Sequence, residues 1–200
     1  MSHNTWTHRL VRPMVKPLVR TAVTPNQLTA LRLTFGLLAS AACMVGEPVW
    51  TRVGAALFVI AFLLDRADGT LARLSGKKSA FGHRFDLISD AVSHAMIFVG
   101  IGIGLRDTQL GWWTAVLGLI AGIAVGAILS LVLRAEMREG EHAAELKPFL
   151  GFDADDAIIV VPIVLWLGWA LPLLYLAASI APFFALFFAW KHRRFLPRAV

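Results

Sequence analysis

Charge is what this chain has least of. Acidic and basic residues make up only 16% of it, where a soluble domain carries about 25%. Gly111 to Leu133 and Ala157 to Trp190 contain no charge at all. That excludes an ordinary soluble domain, in which apolar and polar positions alternate along each element. Cysteine is nearly absent too. Cys43 stands alone, so an intramolecular disulfide is excluded and a thiolate metal site has too few ligands. In its apolar run Cys43 reads as a small buried hydrophobe. No internal repeat and no low-complexity tract is visible. The N-terminal basic stretch is broken by Pro13 and Pro17 and leads into a full-length apolar run without a clear cleavage site, so a cleavable signal is not expected.

What remains is apolar. The chain is 58% hydrophobic with a mean hydropathy of +0.69, and roughly 20 apolar residues suffice to cross a bilayer. The expectation is an all-α integral membrane protein with six transmembrane helices. The runs place them at about 25–46, 50–73, 81–105, 110–133, 149–168 and 172–190. The last two come from one tract. A single helix over 157–190 would be roughly 50 Å long, too long for a ~30 Å hydrocarbon core, and the GWALP stretch (Gly168 to Pro172) supplies a turn to split it.

Six spans put Arg9, Arg12, Lys16, Arg20, Arg73, Lys77, Lys78, Arg84, Arg134, Arg138, Lys147, Lys191, Arg193, Arg194 and Arg198 on one side. The other side keeps Arg52 and Arg106. The basic side is expected to be cytoplasmic, in a bacterial-type inner or plasma membrane, with both termini there. Residues 1–24 read as a juxtamembrane amphipathic helix, with Arg9, Arg12, Lys16 and Arg20 on one face and Trp6, Leu10, Met14 and Leu18 on another. A plain basic tail is the alternative. Residues 25–200 form the membrane domain. The net charge of +6 flanks spans and lines no groove, which points to anionic lipid and away from nucleic acid.

One stretch, DRADGTLARLSGKKSAFGHRFDLISD (65–90), puts four aspartates where apolar runs end and begin. Asp65, Asp68 and Ala72 share a helix face, with Arg73 one residue on, and Asp86 and Asp90 lie one turn apart on the next helix. The short connection makes the two helices antiparallel, so the four carboxylates can converge. Such charges are costly near hydrocarbon unless compensated. One or two divalent cations would compensate them, and all-oxygen ligation selects hard ions such as Mg²⁺ or Mn²⁺. Gly69 leaves room for a phosphate or nucleotide beside Asp68, Ala72 keeps the face shallow, Gly82 opens the facing helix, and Arg73 offers a forked donor to phosphate oxygens.

The pattern Asp65-x2-Asp68-Gly69-x2-Ala72-Arg73-x8-Gly82-x3-Asp86-x3-Asp90 resembles, without departure, the signature of the CDP-alcohol phosphotransferases. TPNQLTALR (24–32) is similar to the opening of the first span in many members. The resemblance implies attack of an acceptor hydroxyl on the β-phosphorus of a CDP-linked alcohol, with CMP leaving. Asp65, Asp68, Asp86 and Asp90 would hold a two-metal centre of Mg²⁺ or Mn²⁺, and Asp90 would also be the general base. Gly69, Ala72, Arg73 and Gly82 would bound the CDP pocket, with Asn26 and Thr29 as further nucleotide contacts. It implies CDP-diacylglycerol as the donor, a small alcohol as the acceptor and a homodimer in phospholipid biosynthesis.

Weaker signals bear on the acceptor. Arg134 and Arg138 lie in SLVLRAEMR, a partial match to a stretch that binds phosphorylated acceptors in some members, and as charges that set topology they need no such role. Asp153, Asp155 and Asp156 could bind a cationic or polyhydroxylated acceptor or cap a helix. His94 lies one turn beyond Asp90 and reads as an interior histidine or a neighbour of the site. Two other functions compete. One transfers a polar phosphoalcohol to a lipid, and the other is a divalent-cation transporter. The transporter would be expected to carry midplane carboxylates and repeats.

Overall fold

In the computed structural model, residues 6–139 and 158–191 are described, and among them there are helices and no strand. The N-terminal helix α1 (Trp6–Val15) passes through a 3₁₀ turn (Lys16–Arg20) into α2 (Pro25–Met44). Then follow α3 (Pro48–Ser75), α4 (Ala80–Gly104), α5 (Trp113–Glu139), the short α6 (Val160–Trp166) and α7 (Ala170–Lys191). Five helices are long and apolar enough to cross a membrane: α2, α3, α4, α5 and α7. Residues 149–157 of the expected fifth span lie outside the described residues, and its described part, 158–168, holds α6.

Local chemistry explains the boundaries. Thr24 caps α2 reciprocally: its hydroxyl accepts from the Gln27 N–H, and its own N–H donates to Gln27 Oε1 at 2.9 Å, with Pro25 pre-set for the first turn. The second span begins two residues earlier than its apolar run because Pro48 starts the helix. It ends at Gly76, whose φ of +67° forms a left-handed cap. Ser79 caps α4 by accepting from the Gly82 N–H at 2.9 Å. The GWALP turn is where it was expected, between α6 and α7, with Gly168 at φ +76°.

Helix α4 is the central element, packed against α2 on one side and α5 on the other. Its glycines alternate in direction. A Cβ on Gly100 would run into the Ser40 main-chain oxygen of α2, whereas one on Gly102 would stand 2.9 Å from Gly118 Cα of α5. The core between these helices includes Ala39, Phe58, Ile97, Ile101 and Ala121, and Leu165 and Leu174 join it from α6 and α7. At the end away from the α3–α4 connection, Arg106 Nη1 donates to the Met44 main-chain oxygen at 2.8 Å, closing the end of α2. Trp166 Nε1 donates to the Arg52 oxygen at 3.2 Å, which sets the end of α6 beside the start of α3.

At the other end, Val11 and Val15 of α1 are buried with Leu28 of α2 and Leu71 of α3. Met14 points away and is 71% exposed.

Candidate active site

The aspartates lie on the halves of α3 and α4 nearest their connecting loop. Asp65, Asp68 and Asp86 each bring one oxygen to within 4.8 Å of the other two. The i, i+3 pair on α3 and the first acid of the i, i+4 pair on α4 therefore meet as the antiparallel pairing requires. Asp90, one turn on, stands outside this triad: its Oδ1 lies 3.1 Å from Arg32 Nη1 and 3.9 Å from His94 Nε2.

Asp68 is 3% exposed, and its Oδ2 accepts from the Thr29 hydroxyl at 2.7 Å. Thr29, expected as a nucleotide contact, spends its hydroxyl on this carboxylate. Asn26 Oδ1 faces Gly82, where an added Cβ would come within 2.8 Å of it and 3.0 Å of Ser79 Oγ. Gly82 is thus small because α2 approaches closely, and the two residues border the same corner.

A cleft of about 440 Å³ opens onto the carboxylates. All four aspartates line it, as do Gly69, Arg73 and His94. Its apolar lining comes from Phe58, Ala61 and Phe62, which precede Asp65 on α3, and from Val125, Ile128 and Leu129 of α5. Ala72, Gly82, Asn26 and Thr29 are not among its lining residues. Charged and apolar side chains thus line one cleft. The side chains of Arg134 and Arg138, at the end of α5, and residues Asp153, Asp155 and Asp156 lie outside the described residues.

Two cations sit in the cleft wall that the motif does not contain. Arg32 of α2 is 2% exposed and pairs with Asp65, with Asp86 Oδ1 at 3.0 Å and with Asp90. Arg66 of α3 is 5% exposed, lies 3.5 Å from Asp65 Oδ2, and places its guanidinium 5.0 Å from the centre of the Phe62 ring. The signal that could have found them is simple: an ionisable residue inside an apolar span is a functional candidate by default.

The sequence model of the CDP-alcohol phosphatidyltransferases matches residues 22–191. The chain belongs to this family. Relatives include the phosphatidylinositol phosphate synthase of Corynebacterium glutamicum, 29% identical over 161 residues, which are 76% of this chain and 64% of that protein. The archaetidylinositol phosphate synthase of Pyrococcus horikoshii is 41% identical over 102 residues, 47% of this chain and 53% of that protein. The matches thus span between about half and two thirds of the length of these curated relatives. The crystal structure of Mycobacterium tuberculosis phosphatidylinositol phosphate synthase with CDP-DAG bound superposes with a TM-score of 0.64 at 20% identity, over 96% of this chain and 99% of that one. At that identity the likeness is one of fold.

A CDP-alcohol phosphatidyltransferase site calls for a divalent cation, and the residues present fit one. The donors are carboxylate oxygens, the hard ligands that Mg²⁺ and Mn²⁺ take. Asp86 Oδ1 is buried and accepts no hydrogen bond among the described residues; its 3.0 Å contact with Arg32 Nη1 lacks hydrogen-bond alignment. Arg32 already faces this oxygen as a cation, and the oxygen keeps lone pairs that a divalent ion could take up.

Proposed function

We propose that this chain transfers the phosphatidyl group of CDP-diacylglycerol to the hydroxyl of a small alcohol, releasing CMP. The observation that carries the reading is the convergence of Asp65, Asp68 and Asp86 on a cleft that is also walled by apolar side chains of α3 and α5. A water-soluble nucleotide sugar would have no use for that wall, whereas diacylglycerol chains would.

In this reading Asp65, Asp68 and Asp86 hold Mg²⁺ or Mn²⁺, and Asp90 completes the acidic set. When bound, a divalent ion neutralises charge on the pyrophosphate and steadies the attacking and leaving oxygens. The chain's own residues do the rest. Gly69 lets the donor's phosphates approach α3, and Arg73, whose Nη2 is held 3.2 Å from Thr70 Oγ1, extends its fork toward them. Gly82 and Asn26 bound the nucleotide side. Asp90 accepts the proton of the attacking hydroxyl as its oxygen bonds to the β-phosphorus, and the bond from that phosphorus to the CMP oxygen breaks.

The membrane arrangement belongs to the same proposal. We place the site on the cytoplasmic face of a six-span domain, residues 25–200, preceded by a juxtamembrane helix in residues 1–24, in a homodimer of the bacterial-type inner membrane. The weight of basic residues on the side of the α3–α4 loop supports this orientation. Arg134, Arg138, Asp153, Asp155 and Asp156 are proposed as acceptor contacts. Because relatives carry the names of inositol-phosphate lipid synthases, inositol phosphate is the acceptor to test first.

The test is a product screen. Protein in lipid nanodiscs with Mn²⁺ and CDP-diacylglycerol is offered inositol phosphate, glycerol 3-phosphate, inositol or serine, and the lipids are read by mass spectrometry. The proposal predicts a new phospholipid in which phosphatidyl is joined to one acceptor, in amounts equal to the CMP formed. A product only when a CDP-polar alcohol meets diacylglycerol would overturn the donor assignment. No product from any pair, in protein that binds Mn²⁺, would overturn the enzyme reading.

A further inference from the structure

Arg66 is no part of the aspartate motif, yet it sits among the motif's residues. It follows Asp65 directly on α3. Phe62, Arg66, Gly69 and Arg73 fall at the spacing i, i+4, i+7 and i+11 that makes one helix face. All four line the cleft. The Arg66 side chain is buried in the cleft wall, with its guanidinium 5.0 Å from the centre of the Phe62 ring and its Nη1 3.5 Å from Asp65 Oδ2. A ring and a carboxylate thus set where the guanidinium stands. An ionisable residue inside a spanning helix is costly, and such residues mark substrate paths.

Position along α3 indicates which reactant Arg66 meets. In an in-line displacement the attacking and leaving oxygens lie on opposite sides of the phosphorus. In the proposed reaction Gly69, Arg73, Gly82 and Asn26, which lie toward the α3–α4 loop, take the nucleotide side. Arg66 is two turns, roughly 10 Å, farther from that loop than Arg73. On α4 the proposed base, Asp90, is likewise one turn farther from the loop than Asp86. Arg66 and the base are therefore displaced in the same direction from the nucleotide side.

We propose that Arg66 is a specificity-determining residue that binds an anionic group of the acceptor, so that the attacking alcohol is a phosphorylated one. The inference rests on the function proposed above and narrows its acceptor. A guanidinium offers a planar fork to two phosphate oxygens at once. Phe62 and Asp65 hold that fork in place before the acceptor arrives. The phosphate of the acceptor is a handle that brings its hydroxyl beside Asp90, and it is not the group transferred. An uncharged alcohol of similar shape forgoes these bonds, and a site built for a polar partner rejects the analogue that lacks it.

Acceptor kinetics on protein in nanodiscs test this, with saturating Mn²⁺ and CDP-diacylglycerol. CMP release is followed with inositol phosphate against inositol, and with glycerol 3-phosphate against glycerol. The parent is expected to prefer the phosphorylated member of one pair. In Arg66→Gln the KM for that acceptor is expected to rise by about tenfold or more, the scale of a lost charge-assisted hydrogen bond. The KM for CDP-diacylglycerol should stay close to the parent's, so the preference for the phosphate collapses while donor use does not. Arg66→Lys keeps the charge and loses the fork, so its acceptor KM should rise less than that of Arg66→Gln. Electron paramagnetic resonance on the same samples should show Mn²⁺ bound in both variants.

An unchanged KM for the phosphorylated acceptor in Arg66→Gln would overturn the proposal. So would a loss of CMP release shared equally by both members of a pair, or a parent that uses only the uncharged alcohols. Loss of Mn²⁺ binding, or of folded, monodisperse protein, in both variants would assign Arg66 to the metal site or to the fold and overturn it as well. A parent that binds Mn²⁺ and releases no CMP with any acceptor would instead overturn the enzyme reading itself, and the proposal with it.

Discussion

Thr29 shows how one hydroxyl can govern a carboxylate that it does not chemically resemble. Asp68 is buried, and the Thr29 O–H at 2.7 Å is the hydrogen-bond donor the structure gives to its Oδ2. Hydrogen bonds to charged groups contribute about 1.5–3 kcal/mol. Thr29→Val keeps the shape and removes the donor, so Asp68 should lose its fixed orientation. Mn²⁺ affinity is expected to drop by about tenfold or more, and Thr29→Ser should restore most of it. A Thr29→Val protein with the parent's Mn²⁺ titration curve would show that the hydroxyl does not orient the ligand. The pairing of Thr29 with Asp68 was out of reach of the sequence. The residues are 39 apart and on different helices, so no periodicity links them. The same holds for Arg32 and its three carboxylates, which meet only because α2 packs on both α3 and α4. The aspartates differ: their spacing along two helices joined by a short loop dictates that they converge.

Among the elements, α4 carries the most constraint. It must approach α2 closely enough for Arg32 to span Asp86 and Asp90, and that approach depends on small residues. Gly36 of α2 faces Ser93, so that an added Cβ would come within 2.7 Å of Ser93 Oγ, and Gly100 faces the Ser40 main-chain oxygen. Membrane helices lack a strong hydrophobic drive toward each other and associate through such close contacts. Gly100→Val meets backbone, which cannot give way as a side-chain tip can. The expected cost is about 1–3 kcal/mol of stability from overpacking, read as earlier thermal unfolding in detergent, together with weaker Mn²⁺ binding as α4 shifts. Parent-like unfolding and Mn²⁺ binding would contradict this packing. The GIGIG stretch on α4 was legible as part of an apolar span. Its alternation of faces, Gly100 to α2 and Gly102 to α5, was not, because hydropathy reports burial and not which neighbour does the burying.

For the whole molecule, the apolar runs, Pro25 and the GWALP turn marked the starts of the five long apolar helices to within a few residues, with Pro48 starting α3 two residues before the expected Trp50. The fourth starts at Trp113 and not near Leu110, since Gly111 adopts φ +56° and the chain is still turning there. Orientation is a separate matter and can be tested directly. Cys43 is 2% exposed and is replaced by Ala to give a cysteine-free background. Single cysteines are then placed at Lys78, in the α3–α4 loop, and at Asp107, whose side chain is 83% exposed at the opposite end. In spheroplasts of a bacterial host, a membrane-impermeant maleimide is expected to label Lys78→Cys only after lysis and Asp107→Cys before it. The reverse pattern would turn the site outward and contradict a cytoplasmic reaction.

The joint action of the metal-holding triad and Asp90 is the centre of the proposed reaction. CMP formation from CDP-diacylglycerol by the purified chain, followed with and without chelator and compared with Asp90→Asn, tests that joint action in one assay. The prediction is CMP only when divalent ion, donor and acceptor alcohol are all present. Asp90→Asn should be slower by roughly a hundredfold to ten-thousandfold while still binding Mn²⁺ through Asp65, Asp68 and Asp86. CMP formed at the parent rate after chelation, or by Asp90→Asn, would contradict it.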